Sequence, residues 1–209
     1  MNKELMEEIK YEVTILVKSG FYSPFEINEI IEEQFIDENL NLNELDEIVK
    51  FELIKHEDNL QKCNFMFFNL LKKSFMDLNK IKIIGIHNAG FDFEEGVQDA
   101  MEIYTHLVNN KYDVEGFVFY SFCDIEDCIH DNELFLSFGD YKKNKDLALI
   151  IGEKIFKILK SNGLKVSWNH TVDERICIKP FNWMKQFEKN VTYEMEGAVE
   201  DYMNTYSED

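Results

Sequence analysis

Two short segments hold the residue types that proton-transfer or thiol chemistry would need. The first is His87-Asn88-Ala89-Gly90. An imidazole titrates near neutral pH and can act as acid or base, and an Asn side chain can orient a carbonyl or amide. The second is Cys123-Asp124-Ile125-Glu126-Asp127-Cys128-Ile129-His130-Asp131, which gathers thiols, carboxylates and one imidazole. A thiol between a strand end and a helix N-terminus can have a lowered pKa, which would make Cys123 nucleophilic if His87 stood beside it as a base. Arg175, the single arginine against 21 lysines, could clamp a carboxylate in a bidentate pair. His87, Asn88, Asp92, Cys123, Asp124 and Arg175 are therefore the candidate ligand or partner site.

Each candidate also has a structural reading. Asn and Gly supply positive backbone φ in a turn. Asp124 can cap a helix that packs Cys128 and Ile129 inward. Arg175, flanked by Asp173 and Glu174, can simply pair with a nearby acid.

Several chemistries lack their motifs. There is no G-x-G-x-x-G and no Gly-Lys-Ser/Thr, so nucleotide phosphate binding has no support. Cys123 and Cys128 are separated by four residues, which is no zinc spacing, and the glycine and glutamate positions of a calcium loop are absent. No metal, no cofactor and no assigned catalytic residue are expected, and the enzyme reading stays open but disfavoured. Cys63, Cys123, Cys128 and Cys177 are scattered, as reduced thiols of a cytoplasmic protein would be. No run approaches the roughly 18 apolar residues of a membrane span, and the acidic first residues lack a signal-peptide core.

The elements that must position these groups follow from periodicity. Leu5, Ile9, Val13 and Leu16 recur at helical spacing, with Gly20 as a stop. Ser23-Pro24-Phe25-Glu26 is a capping box with proline at the first helical position. Asn41 to Glu44 repeats the cap logic, and a fourth helix is expected from about Asn59 to Leu78, with Cys63 on its apolar face. From Lys80 the pattern changes. Ile81 to Ile86 reads as a strand, and Asp92 caps a helix. Gly116 to Ser121-Phe122 reads as a second, central strand, and Leu134 to Phe138, closed by Gly139, as a third. Asp124 to Asp131 suits a helical turn or two, Asp146 to Lys160 a long helix, and Val166–Trp168 with Arg175–Lys179 a hairpin. Met195, Val199, Tyr202 and Tyr206 are spaced for an appended helix. The expected fold class is α+β, with an N-terminal helical layer of three to four helices packed against a mixed β-sheet with α crossovers, plus a C-terminal helix. The expected organisation is a helical subdomain over 1–80, an α/β sheet domain over 81–183 and an acidic helical tail over 184–209.

Residues from about 80 to 183 resemble an uncharacterised bacterial family, classed only as a domain of unknown function. The resemblance lies in Gly116-Phe117-Val118-Phe119-Tyr120 followed by Asp124, in Leu134-Phe135-Leu136-Ser137-Phe138-Gly139 and in Gly163-Leu164-Lys165-Val166-Ser167-Trp168. It continues through Arg175-Ile176-Cys177-Ile178 to Trp183. Some relatives carry cysteines at the turn after the first strand, where this chain has Ile86, His87 and Ala89. The resemblance implies a fold and no activity.

Charge narrows the partners. The 209 residues carry 41 acids against 22 Lys plus Arg, a formal charge of -19. Residues 1–60 hold 16 acids and 5 lysines, and residues 81–142 hold 13 acids and 3 lysines. Such a surface repels phosphate, so neither nucleic acid nor an anionic membrane is an expected partner. The leading expectation is an intracellular, non-enzymatic protein that binds a basic protein partner as an inhibitor or immunity-type factor. The alternative is a small-molecule binder or enzyme with a pocket near His87, Asn88, Cys123 and Arg175. Composition does not set the oligomeric state.

Overall fold

The computed structural model describes residues 3–61 and 65–207, so Cys63 lies outside the described residues. The chain forms two compact units, one from Met1–Phe65 with Met184–Asn190, the other from Met66–Trp183 with Val191–Asp209. Among the described residues there are eight helices and five strands, an α+β fold. No helix among them is long and apolar enough to cross a membrane.

The first unit holds α1 (Lys3–Ser19), α2 (Pro24–Gln34) and α3 (Leu42–Leu60). The α1 stripe of Leu5, Ile9, Val13 and Leu16 is buried. Gly20 ends that helix with φ of +72°, and a Cβ there would stand 2.4 Å from the Lys185 carbonyl oxygen, so both backbone hand and space require glycine. The buried Lys185 ammonium donates to the Gly20 carbonyl at 2.6 Å, placing a cation at the negative end of the α1 dipole. At α2 the capping box is complete. Glu26 N–H donates to Ser23 Oγ at 3.2 Å, and Ser23 N–H donates to Glu26 Oε2 at 2.6 Å. Asn41 takes the N-cap position of α3, but its side chain makes no cap bond.

The second unit runs α4 (Met66–Asn79), β1 (Ile83–Ile86), α5 (Phe93–Asn109), β2 (Gly116–Phe119), α6 (Phe122–Asp131), β3 (Leu134–Asp140), α7 (Lys145–Ser161), β4 (Val166–Ser167), β5 (Ile176–Ile178) and α8 (Met195–Thr205). The sheet order is β1-β2-β3-β5-β4. Only β1 and β2 pair in parallel, which α5 permits by crossing between them. The remaining pairs are antiparallel, and β4 with β5 is the expected hairpin.

Alternation along the strands assigns the helices to faces. A Cβ on Gly85 would meet the Phe75 ring of α4 at 2.4 Å, and one on Gly116 would meet Ile151 of α7 at 2.5 Å. The opposite side chains, Ile84, Ile86, Phe117 and Phe119, share one cluster with Ala100, Ile103 and Leu107 of α5 and with Ala198 and Tyr202 of α8. The sheet is thus a middle layer, with α4 and α7 on one face and α5 and α8 on the other.

Several expected boundaries move for local reasons. Instead of one helix from Asn59 to Leu78, α3 ends at Leu60 and α4 begins at Met66. β2 stops at Phe119, because the Tyr120 carbonyl accepts from Ala89 N–H and Ser121 has become a helix cap. β3 does not close at Gly139 but runs through it to Asp140, since the missing side chain leaves room for the Phe117 ring of β2. The central strand is β3, with β2 between it and β1.

Candidate functional site

The turn that follows β1 is built as its composition requires. Asn88 has φ of +51° and Gly90 of +59°. Both are conformations that Asn and Gly adopt with little strain. Because β1 and β2 are parallel neighbours, their following loops run side by side. Ala89 N–H donates to Tyr120 O at 2.9 Å, Phe122 N–H to Gly90 O at 3.1 Å and Cys123 N–H to Phe91 O at 3.0 Å. The candidate segments therefore do meet at one end of the sheet. Their side chains, however, are engaged in separate arrangements.

His87 is buried and its Nδ1 shares a 2.7 Å hydrogen bond with the Tyr120 hydroxyl. Four aromatic rings, those of Phe68, Phe75, Tyr120 and Tyr193, stand within 5.6 Å of its ring centroid. Burial holds the Tyr120 hydroxyl protonated far above the ordinary tyrosine range. Asn88 Nδ2 donates to Glu194 Oε1 at 3.0 Å, tying the turn to the N-cap residue of α8. Asp92 is the N-cap of α5, its carboxylate accepting from the N–H groups of Glu94 and Glu95 at 2.9 and 3.1 Å.

Asp124 is not the helix cap. Ser121 is the N-cap of α6, and Asp124 is the third helical residue of a capping box. Asp124 Oδ2 accepts from Ser121 N–H at 3.0 Å and from Ser121 Oγ at 3.1 Å, while Oδ1 accepts from Arg175 Nη1 at 2.5 Å. The Arg175 guanidinium also lies 5.0 Å from the centroid of the Phe135 ring, a cation–π distance. Arg175 stands just before β5 and reaches across to α6 rather than to its neighbours Asp173 and Glu174. Cys128 and Ile125 are fully buried, and the Cys128 thiol donates to Phe181 O at 3.4 Å.

Cys123 does not have the electrostatics of a nucleophile. Its position in the first turn of α6 favours the thiolate, but burial and the carboxylates of Glu126, Asp124, Asp92 and Asp127 push its pKa up. Burial pushes the Cys128 thiol up to about 12. Each pKa unit removes about nine-tenths of the thiolate present at neutral pH. Iodoacetamide at pH 7 is therefore expected to modify Cys123 more slowly than free cysteine and to leave Cys128 untouched until the chain unfolds. Mass mapping of the alkylated peptides measures both rates. Faster modification of Cys123 than of free cysteine would restore the nucleophile reading. Among the described residues, no group of three or more His, Cys, Asp or Glu side chains is placed to hold a metal ion.

Two features lie beyond the residues singled out by type. At the loop into α5, Phe91 and Phe93 are 58% and 54% exposed, with Asp92, Glu94 and Glu95 interleaved. Their rings face Phe122 and Phe119 at 6.0 and 6.1 Å. The second is a groove of about 560 Å³ between α5 and α8, lined by Ile103, Met195, Val199 and Met203 and edged by Glu102, His106, Glu196 and Glu200. The spacing of Met195 and Val199 marks an apolar helix face; only the fold places the Glu102–His106 turn of α5 beside it.

Neither the curated proteins nor the solved structures contain a match to this chain. A family match covers residues 2–187, reaching well beyond the 80–183 segment to include α1, α2 and α3. The chain therefore belongs to the family described as Domain of unknown function (DUF6891).

Proposed function

We propose that this is a non-enzymatic cytoplasmic protein that binds a basic protein partner, in the manner of an inhibitor or immunity-type factor. The observation that carries the reading is the exposed Phe91 and Phe93 pair set among Asp92, Glu94 and Glu95 at the end of the sheet. Exposed aromatic rings supply the desolvated anchors from which interfaces draw most of their energy. A phenylalanine face also attracts Lys and Arg cations, and the surrounding carboxylates add long-range attraction. The residues that could have done chemistry support the same reading, because Asp92, Asp124 and Arg175 serve caps and an ion pair. The free thiols of Cys123, Cys128 and Cys177 suit a reducing compartment.

Labelled peptides of equal length test it, one set rich in Lys, Arg and aromatics, the other rich in Asp and Glu. The basic set should bind, and its affinity should fall by about tenfold or more as salt rises from roughly 0.05 to 0.5 M. The Phe91→Ala/Phe93→Ala double variant should weaken that binding by about thirtyfold, the scale of a lost hot spot. Salt-insensitive binding, equal binding of acidic peptides, or an unaffected double variant would each count against the proposal.

A further inference from the structure

The groove between α5 and α8 offers a second, more specific surface. Its floor is Ile103, Met195, Val199 and Met203, and its edges carry Glu102 from α5 with Glu196 and Glu200 from α8. No Lys or Arg is among its lining residues. Methionine side chains are flexible and polarizable, so they adapt to branched apolar knobs of different shapes. The groove is also preformed. Tyr202 donates to Asp113 O in the loop after α5 and Tyr206 to Asn79 O at the end of α4, both at 2.7 Å, which holds α8 in place and reduces the ordering cost of binding.

We propose that this groove seats one amphipathic helix of a protein partner, apolar on one face and flanked by Lys or Arg; this rests on the basic-partner reading and names the segment recognised. The length fits. The lining residues of α8 and its end run from Met195 to Ser207, which at about 1.5 Å per residue is roughly 18 Å, or three helical turns. The walls are two helices, with no open sheet edge to extend, so a helix laid in the groove is the matching geometry. The acidic edges select a cationic flank and oppose an anionic lipid surface. A second copy of the chain is disfavoured because a two-fold contact would bring together two acidic rims with no Lys or Arg to offset them.

Methionine-methyl-labelled full-length chain, titrated with a fourteen-residue Leu/Lys amphipathic peptide, reads the site directly. Met195 and Met203 methyl resonances should shift, and a scrambled peptide of the same composition should bind about tenfold more weakly or worse. The Glu102→Lys/Glu196→Lys/Glu200→Lys variant should lose about thirtyfold in affinity, and the corresponding Gln variant an intermediate amount, with unchanged tryptophan fluorescence showing that each still folds. The same methyl resonances are followed while the basic aromatic peptides that test Phe91 and Phe93 are titrated. That last comparison separates the two ideas: basic peptides that bind through Phe91 and Phe93 without moving Met195 or Met203 would sink the groove alone. Shifts confined to other methionines, equal binding of the scrambled peptide, insensitivity to the Lys variant, or peptide-free dimerisation through the groove would also overturn it.

Discussion

Tyr202→Ala is expected to destabilise the sheet-bearing unit by about 3–5 kcal/mol, the cost of removing a fully buried aromatic ring from a packed core. Tyr202 is fully buried in the cluster that joins α8 to Ile84, Phe117 and Phe119 of the sheet. Its hydroxyl, held protonated by burial, donates to the Asp113 carbonyl at 2.7 Å. Truncation therefore opens a cavity and also strands an acceptor, whereas Tyr202→Phe should lose only about 1 kcal/mol through the hydrogen bond. Both tryptophans, Trp168 and Trp183, belong to this unit, so denaturant titration followed by tryptophan fluorescence reports the relevant transition. A shift of less than about 1 kcal/mol for Tyr202→Ala would mean that α8 is a loose appendage, and the groove beside it would lose its fixed wall.

What could be read from the residues in advance divides along a physical line. Local codes were legible: the Ser23–Glu26 box, Asp92 ahead of α5 and the positive φ of Asn88 and Gly90 depend on atoms only a few residues apart. The alternation that places Ile84 and Ile86 on one face is also local, as is the stripe of α1. Cap geometry one step finer was not legible. Ser121 and Asp124 both have cap chemistry, and only the stopping point of β2 at Phe119 selects Ser121 as the N-cap and moves Asp124 inside the helix. The partner of Arg175 was hidden for a different reason. Its nearest acids in sequence are Asp173 and Glu174, but the ion pair is made 51 residues away. The groove is the extreme case, because its two walls come from α5 and α8, which four strands and two helices separate in the chain. Charge counting could locate acids, yet it could not place Glu102 opposite Glu196 and Glu200 over an apolar floor.

The Asp124–Arg175 pair gives the sharpest test of whether the candidate site residues are structural. Asp124→Ala is expected to cost about 2–4 kcal/mol, combining a lost capping interaction of about 1 kcal/mol with the loss of a charge-assisted bond. The Asp124 side chain is 5% exposed and the Arg175 side chain 38%, so one partner is buried and the other remains partly solvated. That asymmetry predicts unequal single variants. Removing Asp124 deprives Ser121 N–H and Oγ of their acceptor as well as Arg175, whereas Arg175→Met leaves a carboxylate that still accepts from Ser121. Arg175→Met should therefore cost about 1–2 kcal/mol, the lower end expected for losing a bond to a charged group. The double variant should be less destabilised than the sum of the singles by about 1 kcal/mol, because the shared bond is lost only once. Fluorescence-monitored denaturation of the four proteins completes the cycle. A stability cost near zero for Arg175→Met, together with zero coupling, would remove the structural role and leave the guanidinium available as a carboxylate clamp. A coupling of the expected size commits Arg175 to α6, and the partner-binding surface must then be sought where side chains are exposed, at Phe91, Phe93 and the α5–α8 groove.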